Sequence, residues 1–229
     1  IYGAAFPGDN GIPMVFQLKG NPEYRSEELL NVEAGYRYQL GATLSVDVAA
    51  FRGRYTHGTT VEPQPPTFEF TPSPHLLLAV QYDNLLNADV EGLEMAVRWS
   101  PLSRWRLDGS YSTVYVTPDL DAGSQDSTAR EFDGNAPRHQ WQIHSTTDVF
   151  RRVQVDGGLY YVGRLGQLGV PAYTRADVRL EVKVTKHLSA AAVGQNLLQD
   201  AHREFSVENM GLVGTGVPRS ARVQLRWQF

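Results

Sequence analysis

Ionisable side chains occupy every second position from Arg175 to Lys183. In order they are Arg175, Asp177, Arg179, Glu181 and Lys183. The positions between them are all apolar, namely Ala176, Val178, Leu180 and Val182. Because side chains alternate between the two faces of a β-strand, this spacing predicts one charged face and one apolar face. The mixed signs favour a network of ion pairs on a hydrated surface, since a buried charge without a partner is strongly destabilising.

Aspartates in the segment after Tyr115 raise the question of a calcium site. They are Asp119, Asp121, Asp126 and Asp133. The spacing of the twelve-residue calcium loop is absent, because Gly123 stands where the third ligand belongs and Arg130 where the bidentate glutamate belongs. We therefore predict a solvated loop.

The histidines do not form a metal site either. His139 and His144 differ by an odd number of positions on one predicted strand, so they point to opposite faces and cannot share an ion. His202 and Glu204 can meet on one face, but no third ligand is in view beside them. We expect no metal and no cofactor.

Catalytic motifs are missing as well. The glycine-rich segment 211–216 lacks the Lys and Ser/Thr of a phosphate loop and is interpreted as a flexible loop. There is no Gly-x-Ser-x-Gly elbow. His144 and Ser145 are neighbours and point to opposite faces, which argues against a catalytic pair. The chain is predicted not to be an enzyme.

The composition excludes further classes. With 41% hydrophobic and 20% charged residues, the 229-residue chain is too apolar to be disordered. A net charge of −4 without a basic face gives no reason to expect nucleic acid. The absence of cysteine excludes disulfides and thiolate metal sites. No apolar run approaches about 18 residues, so no transmembrane helix is predicted.

The alternation of Arg175–Lys183 recurs along the chain, and the connections alternate in length. Apolar positions with a period of two run through the segments 44–50, 93–99, 105–111 and 153–161. Short connections (40–42, 100–103, 149–152 and 185–187) alternate with long polar ones (56–75, 117–137, 163–171 and 198–216). Strict alternation of short turns with long loops is typical of an outer-membrane barrel. We predict an all-β, antiparallel, up-and-down transmembrane β-barrel, in which many inward charges suit a wide, hydrated lumen.

Aromatic residues and the last segment support a membrane barrel. Tyr36, Tyr38, Trp99, Trp105, Trp227 and Phe229 fall near the short turns, and Tyr111, Tyr115, Trp141 and Tyr161 fall toward the other end. Two such groups are expected at the two membrane interfaces. The final strand carries Val223, Leu225, Trp227 and Phe229 at alternate positions. It resembles the C-terminal signal by which bacterial outer-membrane proteins are recognised by the barrel-assembly machinery.

Several segments resemble TonB-dependent outer-membrane receptors. They are Gly20-Asn21-Pro22-Glu23-Tyr24, Asn31-Val32-Glu33-Ala34-Gly35-Tyr36, Val90-Glu91-Gly92-Leu93-Glu94 and Gly194-Gln195-Asn196-Leu197-Leu198. The resemblance implies a barrel of about 22 strands filled by a plug domain, with energy supplied by the TonB complex. It implies uptake of a scarce nutrient, most commonly an iron–siderophore complex, across the bacterial outer membrane. The lumen-facing residues proposed for the substrate path are Tyr160, Tyr173, Arg175, Asp177, Arg179 and Glu181.

Residues 1–229 are accordingly expected to be the C-terminal part of such a barrel, with about nine or ten of its strands. Neither a plug domain nor a TonB box is identified in this sequence. The expected partners are outer-membrane lipid, the N-terminal strands and plug of the same receptor, the TonB complex and the barrel-assembly machinery. Val178, Leu180 and Val182 should face lipid, and a change of apolar parity between Asn84 and Gly92 predicts a β-bulge.

Alternatives from other classes remain open at this point. The chain could be an autonomous small barrel that serves as an adhesin or scaffold without transport activity. It could also be an outer-membrane barrel enzyme, or a soluble periplasmic β-sandwich that needs no detergent. The sequence does not identify the substrate.

Overall fold

The computed structural model describes residues 2–7, 11–129, 134–206 and 216–229, and most of these residues lie in β-strands. The strands are β1 Tyr2–Phe6, β2 Met14–Lys19, β3 Glu28–Leu40, β4 Leu44–Pro63, β5 Thr67–Glu69, β6 His75–Leu102, β7 Trp105–Leu120, β8 His139–Phe150, β9 Val153–Val162, β10 Tyr173–Lys183, β11 Leu188–Gln195, β12 Ala201–Arg203, β13 Gly216–Pro218 and β14 Ser220–Trp227. No helix in this described part is long and apolar enough to cross a membrane.

Most of these strands belong to one sheet in which chain neighbours pair. Its main path runs β1-β2-β6-β7-β8-β9-β10-β11-β14, while β3 pairs with β4, and both β4 and β5 pair with β6. From β7 to β14 every neighbouring pair is antiparallel. The predicted antiparallel barrel wall is therefore confirmed. The exception is β2, which runs parallel to β6 with Met14 opposite Leu76.

Three of the predicted long loops are partly strand, and in the segment 117–137 the strand is the end of β7, which continues to Leu120. Within the segment 56–75, β4 continues to Pro63 and β5 forms Thr67–Glu69. Within the segment 198–216, β12 and β13 pair as a separate two-stranded sheet. The prediction was wrong there because polar sequence at these positions does not prevent backbone pairing. The predicted glycine-rich loop 211–216 lies outside the described residues except for Gly216.

The chain divides into two compact units. The first comprises Ile1–Val32, Arg52–Val90 and Val116–Asp133, and the second comprises Glu33–Phe51, Glu91–Tyr115 and Gly134–Phe229. The first unit contains the parallel pair and several buried polar side chains. Asn84, which is buried in it, accepts the backbone N–H of Arg25 at 2.6 Å and donates to the carbonyl oxygens of Arg25 and His57 at 3.1 and 2.6 Å. One amide side chain thus ties two segments of the first unit to β6.

The predicted change of parity in β6 occurs earlier than expected. The buried positions are His75, Leu77 and Ala79, followed by Asn84, Leu86 and Ala88. The switch lies between Ala79 and Asn84, so the expectation of a switch between Asn84 and Gly92 was wrong. The neighbouring strand β4 has a matching irregularity, because His57 adopts a φ of 60°. A residue with positive φ inside a strand is typical of a β-bulge, which moves the following side chains to the other face.

The strands of the second unit have two chemically distinct faces. Cross-strand partners on β10, β11 and β14 form rows. Leu180, Ala192 and Val223 form one row, and Val182, Ala190 and Leu225 form the next row on the same surface. This surface is called the apolar face. The intervening rows join Arg179 to Val193 and Arg222, and Lys183 to Ser189 and Arg226. This opposite surface is called the polar face. Val178, Leu180 and Val182, which are predicted to face lipid, lie on the apolar face together with Val223, Leu225 and Trp227.

Candidate functional site

Arg175 and Asp177 form the centre of the polar face. Nε of Arg175 donates to Oδ1 of Asp177 at 2.9 Å, and Nη2 donates to Oδ2 at 2.6 Å. Two parallel hydrogen bonds of this kind fix the guanidinium in one orientation. The two side chains are only 27% and 17% exposed. Oδ1 also accepts the backbone N–H of Asn196 at 3.0 Å, so the carboxylate is also held by the residue that follows β11.

Tyr160 lies against the same guanidinium. Tyr160 on β9 is directly opposite Arg175 on β10, and its ring centroid is 5.5 Å from Cζ of Arg175. The ring of His144 contacts Tyr160 edge to face at 5.1 Å. The tyrosine ring lies along its own strand over Gly158, where a Cβ atom would be 2.7 Å from the hydroxyl oxygen. A glycine at position 158 is therefore needed for this placement of the ring.

Arg179 and Glu181 form a second group farther along β10. Nη1 of Arg179 donates to Asp156 on β9 at 3.1 Å, and Nη2 pairs with Glu181. Asp156 also accepts a hydrogen bond of 2.9 Å from Gln154. The network of ion pairs within and between strands that the alternating charges predict is confirmed. Arg37 with Asp47 and Arg98 with Asp108 add further pairs at 2.5 and 2.8 Å in the second unit.

Tyr173 is joined to the central pair through His202 and Asn196. The rings of Tyr173 and His202 stack with centroids 4.2 Å apart and planes 20° apart. His202 Nε2 lies 2.9 Å from Glu204, as predicted for a pair on one face, and Nδ1 lies 3.1 Å from Oδ1 of Asn196. Asn196 also donates to the carbonyl oxygen of Val217 on β13 at 2.9 Å. These hydrogen bonds hold the paired strands β12 and β13 next to Tyr173.

All six residues predicted for the substrate path lie on the polar face, but they form two groups. Tyr160, Arg175 and Asp177 are in direct contact, and Tyr173 joins them through the His202 side chain. Arg179 and Glu181 belong to the separate group with Asp156. Their role in transport stays a prediction. Sequence reasoning did not identify Asn196 and Gly158, although an asparagine that closes a strand is suited to the left-handed conformation that Asn196 adopts, with a φ of 54°.

A cavity of about 640 Å³ lies next to this cluster in the second unit. Its lining includes the carboxylates of Glu33, Asp47 and Glu94, and it reaches Gln142 and Tyr160. Tyr160 therefore belongs both to the central cluster and to this cavity. The lining offers hydrogen-bond donors and acceptors together with four aromatic residues, which is the chemistry of a surface that binds a polar ligand.

The aspartates after Tyr115 bond to protein groups. Asp119 pairs with Arg54 at 3.7 Å, Asp121 accepts a hydrogen bond from Asn87 at 2.9 Å, and Asp126 accepts the N–H of Val61 at 2.8 Å. Asp133 lies outside the described residues. Among the residues that the structure describes, no group of three or more acidic or histidine side chains is arranged to hold a metal ion.

The predicted assembly signal is exposed on the last strand. Val223 and Leu225 are 76% and 74% exposed on the apolar face, and Trp227 and Phe229 are exposed as well. Recognition of these residues by the barrel-assembly machinery stays a prediction.

The family follows from comparison with known proteins. Residues 2–197 match the family model described as TonB dependent receptor-like, beta-barrel. The chain belongs to this family. Its members are receptors of the bacterial outer membrane rather than enzymes, and the predictions of family, partial barrel and location are confirmed. No curated protein matches the chain.

Solved structures with the same fold include three receptors. The ferric-catecholate import receptor Fiu from E. coli K12 has a TM-score of 0.67 and 20% identity over 91% of this chain and 29% of its own. The ferric enterobactin receptor PfeA from Pseudomonas aeruginosa has a TM-score of 0.66 and 18% identity over 100% of this chain and 35% of its own. The siderophore receptor PirA from Acinetobacter baumannii has a TM-score of 0.65 and 14% identity over 95% and 34%. The chain thus spans 29% to 35% of the length of these three structures.

Proposed function

We propose that this chain is the C-terminal part of the barrel of a TonB-dependent receptor that takes up an iron–siderophore complex across the outer membrane. The observation that carries the proposal is the two-faced wall of the second unit, in a chain of this family. One face is apolar and exposed, as a surface against lipid must be, and the other carries charged and aromatic side chains in two groups. Fiu is a ferric-catecholate import receptor, PfeA a ferric enterobactin receptor and PirA a siderophore receptor, and this supports iron–siderophore complexes as the substrate class.

In this proposal the polar face lines the lumen, and Arg175 contacts the ligand. The bond pair to Asp177 uses Nε and Nη2 of Arg175, while Nη1 is not used by that pair. A guanidinium held rigidly against a tyrosine ring is suited to bind an anionic, planar group, because little side-chain entropy is lost on binding. Tyr160, Tyr173, Asp177, Arg179 and Glu181 complete the proposed substrate path.

The two edge strands β3 and β14 support the proposal that other strands of the same receptor pair with this chain. In the described part of the chain, β3 pairs only with β4, and β14 pairs only with β11. Unpaired backbone groups at such edges are not tolerated in hydrocarbon, so other barrel strands must pair with β3 and β14. A plug domain would then cover the polar face, and the TonB complex would act through the plug. The autonomous small barrel has less support, because β3 and β14 do not pair with each other in these residues.

The test is uptake by the receptor that contains this chain. The receptor is expressed in a strain without other siderophore receptors, and radioactive iron is supplied with a catecholate or a hydroxamate siderophore. We expect saturable uptake of at least one complex that is abolished when TonB is deleted. Saturable uptake of a substrate without iron, together with no uptake of either complex, would contradict the proposal.

Site variants test the role of Arg175 in the same assay. Arg175→Gln is expected to raise the half-saturation concentration about tenfold, which corresponds to one lost contact of about 1.4 kcal/mol. The matched control is Arg151→Gln, because Arg151 is an exposed arginine in the turn between β8 and β9. Equal half-saturation concentrations for the two variants would show that Arg175 does not contact the transported ligand.

A further inference from the structure

His202 is buried between two hydrogen-bond acceptors. Its side chain is only 3% exposed. Nδ1 lies 3.1 Å from Oδ1 of Asn196, and Nε2 lies 2.9 Å from a carboxylate oxygen of Glu204. Because an ionised carboxylate accepts hydrogen bonds and donates none, the bond to Glu204 requires a proton on Nε2.

The side-chain amide of Asn196 is oriented as an acceptor toward His202. Its Nδ2 donates to the carbonyl oxygen of Val217 on β13 at 2.9 Å. In the reverse orientation two oxygen atoms would face each other without a proton between them, which is unfavourable in a buried site. The bond from His202 to Asn196 therefore requires a proton on Nδ1. A neutral imidazole has only one of these two protons, whereas the imidazolium has both.

The two bonds of His202 hold β12 next to residues of the proposed substrate path. His202 is the middle residue of β12 and lies opposite Val217 on β13. Its ring stacks on Tyr173, with the centroids 4.2 Å apart. The carboxylate of Glu204 also interacts with the hydroxyl of Tyr173 and with the guanidinium of Arg175. Loss of either bond of His202 would therefore change the surroundings of Tyr173.

The charged groups around His202 come mainly from β10 and from the residue after β12. β13 has no ionisable residue, and side-chain alternation directs Arg203 to the other side of β12. Arg175 and Asp177 are paired with each other. In the described part of the chain, Glu204 and Tyr173 contact His202 directly, Asp177 contacts it through Asn196, and Arg175 contacts it through Glu204. The charge that pairs with an imidazolium at position 202 is thus the carboxylate of Glu204.

We propose that the proton on His202 regulates the proposed substrate path. The imidazolium holds β12 and β13 next to Tyr173, and the neutral ring loosens them. After the loss of one proton, the ring keeps one bond and turns a lone pair toward the other acceptor. Both bonds are present at low pH, and one is lost as the pH rises through the range in which histidine titrates, about pH 5 to 8. The regulation of transport rests on the function proposed above, whereas the effect of the proton on β12 does not.

Hydrogen exchange of the β12 amides tests the effect of the proton without any ligand. The receptor that contains this chain is purified, and exchange is measured at about pH 6 and about pH 8.5. After correction for the intrinsic pH dependence, exchange should be at least about tenfold faster at the higher pH, because a hydrogen bond from a charged group is lost. The control His187→Asn alters an exposed histidine between β10 and β11 and should behave like the wild type. Corrected exchange that is equal at both pH values in the wild type overturns the proposal.

The variant Glu204→Gln separates the role of the proton from a merely structural role. The glutamine amide can donate to a neutral Nε2, so both ring nitrogens have partners without an imidazolium. Exchange of the β12 amides at the higher pH should therefore be slower in Glu204→Gln than in the wild type. His202→Asn has no titratable ring, and its corrected exchange should be the same at both pH values. Exchange in Glu204→Gln that is as fast as in the wild type at the higher pH, or faster, contradicts the proposal.

Ligand binding tests the regulation of the substrate path. The ferric complexes of a hydroxamate and of a catecholate siderophore are titrated into the purified receptor at the same two pH values. For a complex that binds, the Kd of the wild type should be several-fold higher at the higher pH, and the Kd of His202→Asn should not depend on pH in this way. An equal pH dependence in the two proteins overturns the regulation. If neither complex binds, the function proposed above fails, while the exchange measurements still decide whether the proton on His202 holds β12.

Discussion

The hydroxyl group of Tyr160 lies directly over Gly158, so that a Cβ atom on Gly158 would be 2.7 Å from the hydroxyl oxygen. The flexible end of the Tyr160 side chain must move if that Cβ is added, whereas the backbone can stay in place. Gly158→Ala should therefore displace the ring from Arg175 and raise the half-saturation concentration of uptake. The free energy of unfolding should change by no more than about 1 kcal/mol.

The adjacent glycine provides a matched control for this prediction. Gly157 is on the opposite face, and a Cβ there would meet no atom within 4 Å. Gly157→Ala should leave uptake unchanged. A parallel loss of uptake in both variants would show that the placement of Tyr160 is not what matters.

Asn196 is predicted to hold the β12–β13 hairpin through its side chain and its conformation together. It is fully buried, its φ is 54°, and it bonds to Val217 and His202. Asn196→Gly keeps the conformation but removes the side-chain bonds, whereas Asn196→Ala also introduces backbone strain of about 1 kcal/mol. Hydrogen exchange of the β12 amides should be faster in the glycine variant than in the wild type and faster again in the alanine variant. An unchanged rate in both variants would remove Asn196 as the anchor.

The segment 121–129 is predicted to depend on two buried carboxylates. Glu62 accepts hydrogen bonds from Ser124 and Gln125, both at 2.6 Å, and Asp126 accepts bonds from Val61, Thr128 and Ala129. Asp126→Ala leaves these donors without an acceptor, which costs about 1–3 kcal/mol locally. Limited proteolysis of the segment should accelerate. The control Asp119→Ala should have little effect, because Asp119 is 69% exposed and its ion pair with Arg54 is long.

The same carboxylate makes the segment sensitive to acid. Burial alone would raise the pKa of Asp126, but hydrogen bonds from Thr128, Val61 and Ala129 outweigh it and lower the pKa below its usual value of about 3.9. The stabilisation is therefore fully present above about pH 4 and is lost as the pH falls through the lowered pKa. Amide exchange in the segment, corrected for the intrinsic pH dependence, should rise below about pH 4 in the wild type. In Asp126→Ala this additional rise should be absent.

The apolar face predicts where a charge is not tolerated. Leu180→Arg places a guanidinium among apolar residues of the membrane-facing surface and should lower the free energy of unfolding in lipid by about 2–4 kcal/mol. Gln154→Arg is the control, because Gln154 is on the polar face opposite Glu181. That substitution should change the stability by less than about 1 kcal/mol. Equal effects of the two substitutions would contradict the assignment of the faces.

The local alternation of polar and apolar residues was sufficient to predict which face of a strand each side chain occupies. It was not sufficient to predict which strands pair when they are far apart in the sequence. A period of two is visible in five or six consecutive residues, so the facing of Leu180 and Arg179 follows from the sequence. The parallel pairing of β2 with β6 joins Met14 to Leu76, and nothing in either segment alone specifies the other. The irregularity at His57 was missed because residues other than glycine seldom adopt positive φ, and nothing in the sequence around His57 indicates that it does. In the candidate site, the alternating charges were predictable, whereas the role of Asn196 depends on bonds to three different segments.

The most direct test of the central claim is the behaviour of residues 1–229 on their own. The claim is that β3 and β14 pair with strands supplied by the rest of a receptor, since in the described part they bond only to β4 and β11. The purified segment, which contains no cysteine, is refolded into liposomes, and its gel mobility is compared with and without heating. The account predicts no heat-modifiable monomer and no permeability of the liposomes. A stable, heat-modifiable monomer would show that the segment closes into a barrel by itself and would contradict the account.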